Sequence, residues 1–318
     1  MSNPIRSRDS ILYDIHVLDG GVASELEYLG ADINGPLWSA HVLEDSPEKI
    51  LAVHRAYIEA GAEIIETASY QVSRMGYAEV GLDPGRADAA LLRSVALARE
   101  AAAAFPDRKI IIAASLGPYG AALHNGAEYH GNYTCTFADL VEFHADRIEI
   151  LVNARGREAP DLLAFETLPS LAEAEAIGQA LAPHHELAAW FTFTCADRER
   201  VAHGELLRQC AKAVGTFPQT IAIGVNCTHP TFIPALIAEL RAASDKPIVV
   251  YPNSGEAWDA QARCWTGSSD PAAYGVKATE WLAAGAQIIG GCCRTRPAHI
   301  REVAQAQTAR TKQDRLTR

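Results

Sequence analysis

The chain has 318 residues, 48% of them hydrophobic, and a formal net charge of −11. This composition supports a substantial core, and its acidic balance argues against nucleic acid or an anionic membrane as a partner. The N-terminus lacks an apolar signal core, and no apolar run approaches the roughly 20 residues of a membrane span. The odd number of seven cysteines does not suit a disulfide framework, so we expect a cytoplasmic protein with reduced thiols.

Short apolar segments alternate with segments of helical period along the whole chain. The first predicted strand covers 15–21, and a helix led by proline follows at 47–60. Seven further strands are predicted at 63–69, 109–117, 161–169, 187–194, 221–228, 246–253 and 286–293. Six further helices are predicted at 86–104, 137–154, 171–182, 205–214, 232–243 and 271–284.

Strands that are apolar on both faces and separated by helices indicate a parallel sheet covered by helices. Eight such units in this length favour an α/β fold of the (β/α)8 TIM barrel type, in one domain, over an open Rossmann sheet. We expect the barrel to cover 11–307, with a flexible N-terminus at 1–10 and a polar C-terminal tail at 308–318.

Polar and sulfur-containing side chains follow several of the predicted strands. In a parallel barrel, the carboxyl ends of all strands meet at one face, which carries the active site. The residues at these ends are Asp19-Gly20-Gly21, Glu166-Thr167, Asn226-Cys227, Asn253-Ser254-Gly255-Glu256 and Gly290-Gly291-Cys292-Cys293. The long loops after the third and seventh predicted strands are candidates for covering this face.

The adjacent Cys292 and Cys293 have several interpretations. They can be buried thiols that fill space, since free cysteine packs as a small apolar residue. Gly290 and Gly291 with Arg294 can instead form a phosphate site, although this leaves both cysteines unexplained. A vicinal disulfide is strained. With Cys227 on the same rim, three thiolates fit a catalytic zinc site, which keeps its fourth position open.

Six ordered motifs resemble those of the homocysteine S-methyltransferases: "LDGGVASELEYLG", "SLGPYGAAL", "FETLPS", "GVNCT", "VVYPNSGE" and "IGGCCRT". The resemblance covers residues 15 to 305 and is closest to the short single-domain branch that uses S-methylmethionine or S-adenosylmethionine. It implies a barrel in which Zn²⁺ is bound by Cys227, Cys292 and Cys293. It also implies transfer of a methyl group from a sulfonium donor to homocysteine, which gives methionine.

The resemblance also implies how homocysteine is held. Asp19 and Glu166 would bind its ammonium group, and backbone N–H groups around Gly20 and Gly21 would bind its carboxylate. Asn226 is a further candidate substrate-binding residue. The alternative for the two acids is a structural role, as helix caps or as partners of arginines.

The donor site is less specified by the sequence. The betaine-using branch of the family carries a tyrosine directly after the strand-four glutamate, whereas this chain has Thr167, which weighs against betaine. Aromatic rings can bind a sulfonium through cation–π attraction. The candidates for the donor pocket are Trp38, Tyr70, Tyr119, Asn253 and Glu256, with Trp258 and Trp265 as further aromatic residues.

Two alternatives to this function remain open. One is a betaine-type or other thiol methyltransferase on the same scaffold, and the other is a barrel protein that binds zinc or thiols without catalysis. The chain is too short for the additional modules of cobalamin-dependent methionine synthases. The remaining cysteines are expected to be packing residues: Cys135, Cys195, Cys210 and Cys264.

Overall fold

The computed structural model describes residues 10–33, 35, 37–259, 264–267 and 269–316. One parallel sheet of seven strands dominates this part of the chain, in the order β1-β2-β3-β4-β5-β6-β9. These strands are β1 Ile64–Glu66, β2 Ile111–Leu116, β3 Leu162–Leu168, β4 Ala189–Phe193, β5 Thr220–Asn226, β6 Ile248–Tyr251 and β9 Ile288–Ile289. A separate antiparallel pair consists of β7 Ala257–Asp259 and β8 Cys264–Thr266.

Helices alternate with the strands of the parallel sheet. They are α1 Val22–Tyr28, α2 Val42–Asp45, α3 Pro47–Ala60, α4 Arg74–Glu79, α5 Pro84–Ala103, α6 Tyr119–Ala122, α7 Phe137–Asn153, α8 Leu171–Leu181, α9 Leu207–Gly215, α10 Ile233–Ala243, α11 Pro271–Ala284 and α12 Pro297–Leu316. Each of the seven predicted helices is present, and α3 and α11 have the predicted bounds. Both end before a glycine with positive φ, Gly61 at 117° and Gly285 at 114°.

Seven of the eight predicted strands are assigned to the parallel sheet. Segment 15–21 contributes only two isolated parallel bridges, from Val17 to Ile289 and from Leu18 to Ile64. The pairing is short because Gly20 and Gly21 follow at once and α1 begins at Val22. These two bridges reach opposite edges of the sheet, β9 and β1, so the sheet is curled.

Both faces of the curled sheet are buried. The larger apolar cluster lies between the sheet and the helices, and it includes Ile65, Phe191 and Trp281. A smaller cluster on the other face includes Leu18, Trp190 and Tyr251. Burial on both faces explains why the strands read as continuous apolar runs rather than as alternating ones.

Other predicted boundaries also shift. The predicted strand 286–293 is reduced to β9, because the backbone turns through Gly290 and Gly291 toward the cysteines. The polar segment 308–318 was predicted as a tail, but α12 continues through Leu316. Its alanine, glutamine, arginine and lysine residues have high helix propensity, so polarity did not mark the end of the helix. The flexible segment expected at 1–10 lies outside the described residues except for Ser10.

None of the helices in the described part of the chain combines the length and the apolar character needed to cross a bilayer.

Candidate functional site

Three cysteines that are distant in the sequence meet at the carboxyl ends of two strands. Cys227 directly follows β5, and Cys292 and Cys293 follow β9. The Sγ atoms of Cys227 and Cys293 are 3.5 Å apart, and all three sulfur atoms lie within 4.8 Å of one another. No other group of three metal-ligating side chains occurs within the described residues. The structure therefore brings together the three residues predicted as zinc ligands.

Unusual backbone geometry directs these cysteines toward one another. Cys227 has a φ of 47° and Arg294 a φ of 64°, both in the left-handed region that non-glycine residues rarely adopt. The turn before Cys292 also requires glycine. A Cβ atom on Gly290 would lie 2.6 Å from the Asp19 carbonyl oxygen, and one on Gly291 would lie 2.4 Å from Thr295 Oγ1. The paired glycines are therefore needed for close packing rather than for positive φ.

The three thiols have the chemistry of a soft-metal site. In a tetrahedral zinc site with Zn–S bonds of about 2.3 Å, sulfur atoms are about 3.8 Å apart. The observed spacing of 3.5 Å between Cys227 and Cys293 is close to that value. Hydrogen bonds from Cys227 and Cys292 lower the pKa of Cys293 well below its usual value, so this residue is the first to become a thiolate. The residues present fit a metal with three sulfur ligands.

Arg294 does not point into the thiol cluster as a phosphate ligand would. Its Nε donates to Glu256 Oε2 at 3.2 Å, and its Nη1 donates to Glu27 Oε2 at 3.1 Å. These ion pairs weigh against the phosphate interpretation. Glu256 is therefore the ion-pair partner of Arg294. It does not line the cavity beside the cysteines.

Three buried carboxyl groups lie at the strand ends near the thiols. Asp19 Oδ2 accepts a hydrogen bond from the Glu66 N–H at 3.0 Å, whereas Asp19 Oδ1 and Glu66 Oε1 have no hydrogen-bond partner among the described residues. Glu166 accepts hydrogen bonds from the Ser115 hydroxyl and, at 3.4 Å, from Asn226 Nδ2. Within the described residues, neither Asp19 nor Glu166 caps a helix or pairs with an arginine.

The electrostatics of Asp19, Glu66 and Glu166 favour a cationic ligand. Burial, followed by repulsion from the neighbouring acids, raises the pKa of Glu66 well above its usual value. Burial also raises the pKa of Asp19, and it raises the pKa of Glu166 to about 7. Since buried carboxylates are costly without a cation, the orphaned oxygens are suited to the N–H donors of an ammonium group.

Glu66, Glu166 and the three thiols line one cavity, whereas Asp19 does not line it. Its walls are formed by Gly20, Gly21, Val22, Ala23, Ser24, Glu66, Thr67, Ala68, Tyr70, Ser115, Tyr129, Glu166, Thr167, Cys227, Gly291, Cys292 and Cys293. Within it, the Gly21 N–H donates to Thr295 Oγ1 at 3.1 Å.

Asn226 lies behind this cavity. Its Oδ1 accepts hydrogen bonds from the Thr167 N–H at 2.7 Å and from Thr192 Oγ1 at 3.0 Å, and its Nδ2 donates to Thr167 Oγ1 at 2.8 Å. The side chain therefore holds Thr167, whose φ is 59°, and orients Glu166.

The residues predicted for a donor pocket are only partly brought together. Tyr70 lines the cavity. Tyr119 does not, because its ring packs against Tyr133 and Phe143. The backbone N–H of Asn253 donates to the Thr228 carbonyl at 3.1 Å, and its buried Oδ1 has no partner. The side chains of Trp38, Trp258 and Trp265 lie outside the described part of the structure.

Cys195 and Cys210 are buried in the apolar core, as predicted for packing residues, and Cys135 is half-buried. The side chain of Cys264 is outside the described part of the structure.

Glu66 and Tyr129 line the cavity but were not among the predicted site residues. Glu66 ends β1 within "EIIETAS", and its position at a strand end was the signal that could have identified it. Tyr129 comes from the connection between β2 and α7, and its hydroxyl lies 3.5 Å from Cys227 Sγ. No motif in the sequence indicates that this loop returns to the cysteines.

Buried polar contacts anchor the loop that carries Tyr129. Glu173, at the start of α8, accepts a hydrogen bond from the Tyr133 hydroxyl at 2.9 Å and contacts His144 Nε2 at 3.0 Å. Arg147 donates to His144 Nδ1 at 2.8 Å, so the proton of this imidazole is on Nε2, which donates to Glu173. This network fixes the loop against α7 and α8.

Comparisons with known proteins agree with this geometry. The family model described as homocysteine S-methyltransferase matches residues 16–307. The chain is 43% identical over 300 residues to homocysteine S-methyltransferase YbgG of Bacillus subtilis, covering 92% of this chain and 94% of that protein. The metallated form of the homocysteine methyltransferase MmuM from Escherichia coli is similar with a TM-score of 0.81 and 38% identity, covering 95% of this chain and 99% of that one. The oxidized form of MmuM gives a TM-score of 0.84 at 38% identity, covering 96% of this chain and 100% of that one.

Proposed function

The chain belongs to the homocysteine S-methyltransferase family, and from this premise we propose that it is a zinc enzyme that transfers a methyl group from a sulfonium donor to homocysteine. The donor is S-methylmethionine or S-adenosylmethionine, and the product is methionine. The observation that carries this proposal is the cavity lined by three converging thiols and by the buried carboxyl groups of Glu66 and Glu166, with Asp19 hydrogen-bonded to the Glu66 N–H. It offers a metal site and an ammonium site side by side.

Cys227, Cys292 and Cys293 would hold the zinc ion. Three sulfur ligands leave one position of a tetrahedral site for a substrate. When bound, zinc would supply a Lewis acid that lowers the pKa of the homocysteine thiol at neutral pH. The close contacts among the three cysteines support this assignment, because they have brought the ligand atoms near to their spacing in a zinc site.

Asp19 and Glu166 would bind the ammonium group of homocysteine, with Glu66 beside them. The unpartnered oxygens of Asp19 and Glu66 and the oxygens of Glu166 provide acceptors for its N–H donors. Backbone N–H groups around Gly20 and Gly21 would bind the carboxylate, for which the Gly21 N–H would exchange its present contact with Thr295. Asn226 would position Glu166 rather than contact the substrate.

The reaction proposed for this cavity is a direct displacement. The homocysteine thiol loses its proton to water, and its sulfur donates an electron pair to form a bond with the methyl carbon. The bond between that carbon and the sulfonium sulfur breaks, and its electron pair stays on the departing sulfur. Because the leaving group is a neutral thioether, no general acid is required. The residues of the cavity therefore serve to bind, orient and exclude water.

Among donors, we propose that S-methylmethionine is preferred over S-adenosylmethionine, because the adenosyl group must fit the same covered site. Betaine is disfavoured, since Thr167 stands where the betaine-using branch carries a tyrosine. A sulfonium also releases a neutral thioether, a better leaving group than the tertiary amine released from betaine.

We also propose that the fold is a closed (β/α)8 barrel, in which segment 15–21 takes the place of the eighth strand. The Leu18 N–H donates to the Ile289 carbonyl at 2.9 Å, and the Asp19 N–H donates to the Ile64 carbonyl at 3.1 Å. These bonds to both edges of the sheet support closure. A reducing compartment such as the cytoplasm would keep the three thiols available for zinc.

A donor panel tests the proposed function. Zinc-loaded protein is incubated with homocysteine and with S-methylmethionine, S-adenosylmethionine, betaine or methylfolate at equal concentration, and methionine is measured. We expect the fastest formation with S-methylmethionine, slower formation with S-adenosylmethionine and little with the other two. A preference for betaine would indicate a betaine-type enzyme. Zinc binding without turnover of any donor would indicate a non-catalytic barrel.

A further inference from the structure

The position of Tyr129 is not explained by packing in the apolar core. Tyr129 ends the short 3-10 helix Ala127–Tyr129 in the loop between β2 and α7, and its side chain lines the cavity. The residue is 51% exposed, so its ring adds little to the core. Its hydroxyl, by contrast, lies 3.5 Å from Cys227 Sγ. The contact of this residue with the thiol cluster is therefore a polar one, between a hydroxyl and a sulfur atom.

Contacts on both sides of Tyr129 in the chain hold the loop in place. On the side before it, the backbone packs directly on Gly120, because a Cβ atom on Gly120 would lie 2.4 Å from the Glu128 nitrogen. On the side after it, the Tyr133 hydroxyl donates to the buried carboxylate of Glu173 at 2.9 Å. The hydroxyl of Tyr129 is thus brought to the thiols by a loop that is anchored at both ends of the short helix.

The hydroxyl of Tyr129 is the donor in this contact whenever Cys227 binds a metal. A cysteine that ligates a metal is a thiolate and has no proton to donate. Negative charge on Cys227 raises the pKa of Tyr129 well above its usual value, so the phenol keeps its proton at neutral pH. Sulfur is larger than oxygen, and a hydrogen bond to it is correspondingly longer, which the distance of 3.5 Å fits. A hydrogen bond to an ionised acceptor is also stronger than one between neutral groups.

We propose that Tyr129 is a positioning residue of the metal site, whose hydroxyl donates a hydrogen bond to the Cys227 thiolate and thereby favours binding of homocysteine. This inference rests on the proposed function. Three thiolates already give the site an excess of negative charge, and the homocysteine thiolate adds more. A hydrogen bond to Cys227 Sγ draws electron density away from that sulfur, which reduces the repulsion of the incoming thiolate. The same bond fixes the orientation of Cys227 as a ligand.

Tyr129→Phe tests the assignment, since it keeps the ring and removes the hydroxyl. We expect the dissociation constant of zinc, measured by competition with a chelator, to rise about tenfold, the scale found when partners of metal ligands are removed. Calorimetry on zinc-loaded protein should show homocysteine binding weakened by about tenfold as well. The KM for S-methylmethionine should change little, because the ring remains. Tyr13→Phe, which changes a tyrosine that is 72% exposed, is the matched control and should leave all three values unchanged.

The direction of the change in homocysteine affinity separates two roles of the hydroxyl. A hydroxyl that itself occupied the open position of the metal would compete with homocysteine, so its removal would tighten homocysteine binding. A hydroxyl that donates to Cys227 supports the binding, so its removal weakens it. Tighter binding in Tyr129→Phe would therefore overturn the assignment. An affinity equal to that of the wild type would also overturn it, because only the ring would then matter.

Cobalt substitution gives a readout that a purely structural role of Tyr129 would not change. Co²⁺ binds to thiolate sites in place of zinc, and its sulfur-to-metal charge-transfer absorption reports on the electron density at sulfur. A hydrogen bond stabilises the lone pair of the sulfur, so its loss in Tyr129→Phe should move this band to longer wavelength. A band at the wild-type position would contradict a hydrogen bond to Cys227. Because Tyr129 is half-exposed and its ring is kept, the variant is expected to fold.

The failure of this inference is distinct from that of the proposed function. If the wild type binds no zinc or turns over no sulfonium donor, the proposed function fails. If the wild type does both, and Tyr129→Phe keeps the wild-type affinities for zinc and homocysteine, only the role of Tyr129 fails.

Discussion

Burial raises the pKa of the acids that we propose bind homocysteine. Glu166 is 6% exposed, and desolvation raises its pKa to about 7, against the hydrogen bond from Ser115, which lowers it. An ammonium ligand would favour the ionised form of such a group. Binding of homocysteine is therefore expected to favour deprotonation of the acid group, and deprotonation is expected to strengthen the binding of homocysteine.

Glu166→Gln tests the role of this charge. The amide keeps the hydrogen bonds to Ser115 and Asn226 within reach but cannot pair with an ammonium, so the KM for homocysteine should rise about tenfold to a hundredfold. Steady-state kinetics with saturating donor measure this, and the zinc content should be unchanged. Glu175→Gln, on the exposed side of α8, is the control. An unaltered KM with only a shifted pH profile would instead make Glu166 an acid or base.

At the scale of single elements, helices α3 and α7 each bury a histidine in the apolar interior. His54 on α3 and His144 on α7 are fully buried, and desolvation lowers the pKa of both to about 4. His144 is hydrogen-bonded to Glu173 and Arg147, whereas neither ring nitrogen of His54 has a hydrogen-bond partner in the described part of the chain. His54 is thus the clearer source of a pH-dependent stability of the helix layer.

The sign of that dependence follows from the lowered pKa of His54. Between pH 6.5 and about 4, the unfolded chain binds a proton that the folded chain does not, so the free energy of unfolding falls as the pH falls. At pH 5 the expected loss is about 2 kcal/mol. In His54→Leu, the difference in unfolding free energy between pH 7 and pH 5 should shrink by about that amount.

Urea unfolding of the metal-free protein at both pH values measures this difference. His185, which is exposed, provides the control variant His185→Gln, whose pH dependence should match that of the wild type. An equal loss of stability in His54→Leu and the wild type would show that His54 is not the group that titrates.

At the scale of the whole molecule, a bound metal would link the segment after β5 to the segment after β9. Cys227 follows β5, and Cys293 lies 66 residues later in the chain. An ion held by both segments binds the folded chain only, so zinc at a hundred times its dissociation constant should stabilise the protein by about 2.7 kcal/mol. For a chain of this length, that corresponds to a rise of about 4 °C in the melting temperature.

Differential scanning calorimetry of zinc-loaded and chelated protein measures this rise. Cys292→Ser should abolish most of it and reduce the bound zinc, because a hydroxyl is a poor zinc ligand at neutral pH. Cys135→Ser, outside the thiol cluster, should keep both. Full zinc occupancy in Cys292→Ser would show that Cys292 is not a ligand.

The sequence by itself determined the alternation of helices and strands, because periodicity and capping are local properties of the chain. It also placed Cys227, Cys292, Cys293, Asp19 and Glu166 at strand ends, where a parallel sheet must bring them to one face. The lengths of the first and last strands could not be predicted from the sequence, because strand pairing ends where the backbone turns. These turns lie at Gly20, Gly21, Gly290 and Gly291.

Only the tertiary structure decided which other side chains reach the thiols. Glu66 and Tyr129 both line the cavity. Glu66 stands at a strand end, whereas no local pattern in the sequence marks Tyr129. Tyr119 and Glu256, which were predicted for the donor pocket, contact Phe143 and Arg294 and do not line the cavity beside the thiols. Residue type and strand position identify the chemistry available at one face of a sheet, whereas the fold of a long loop depends on contacts that are remote in the sequence.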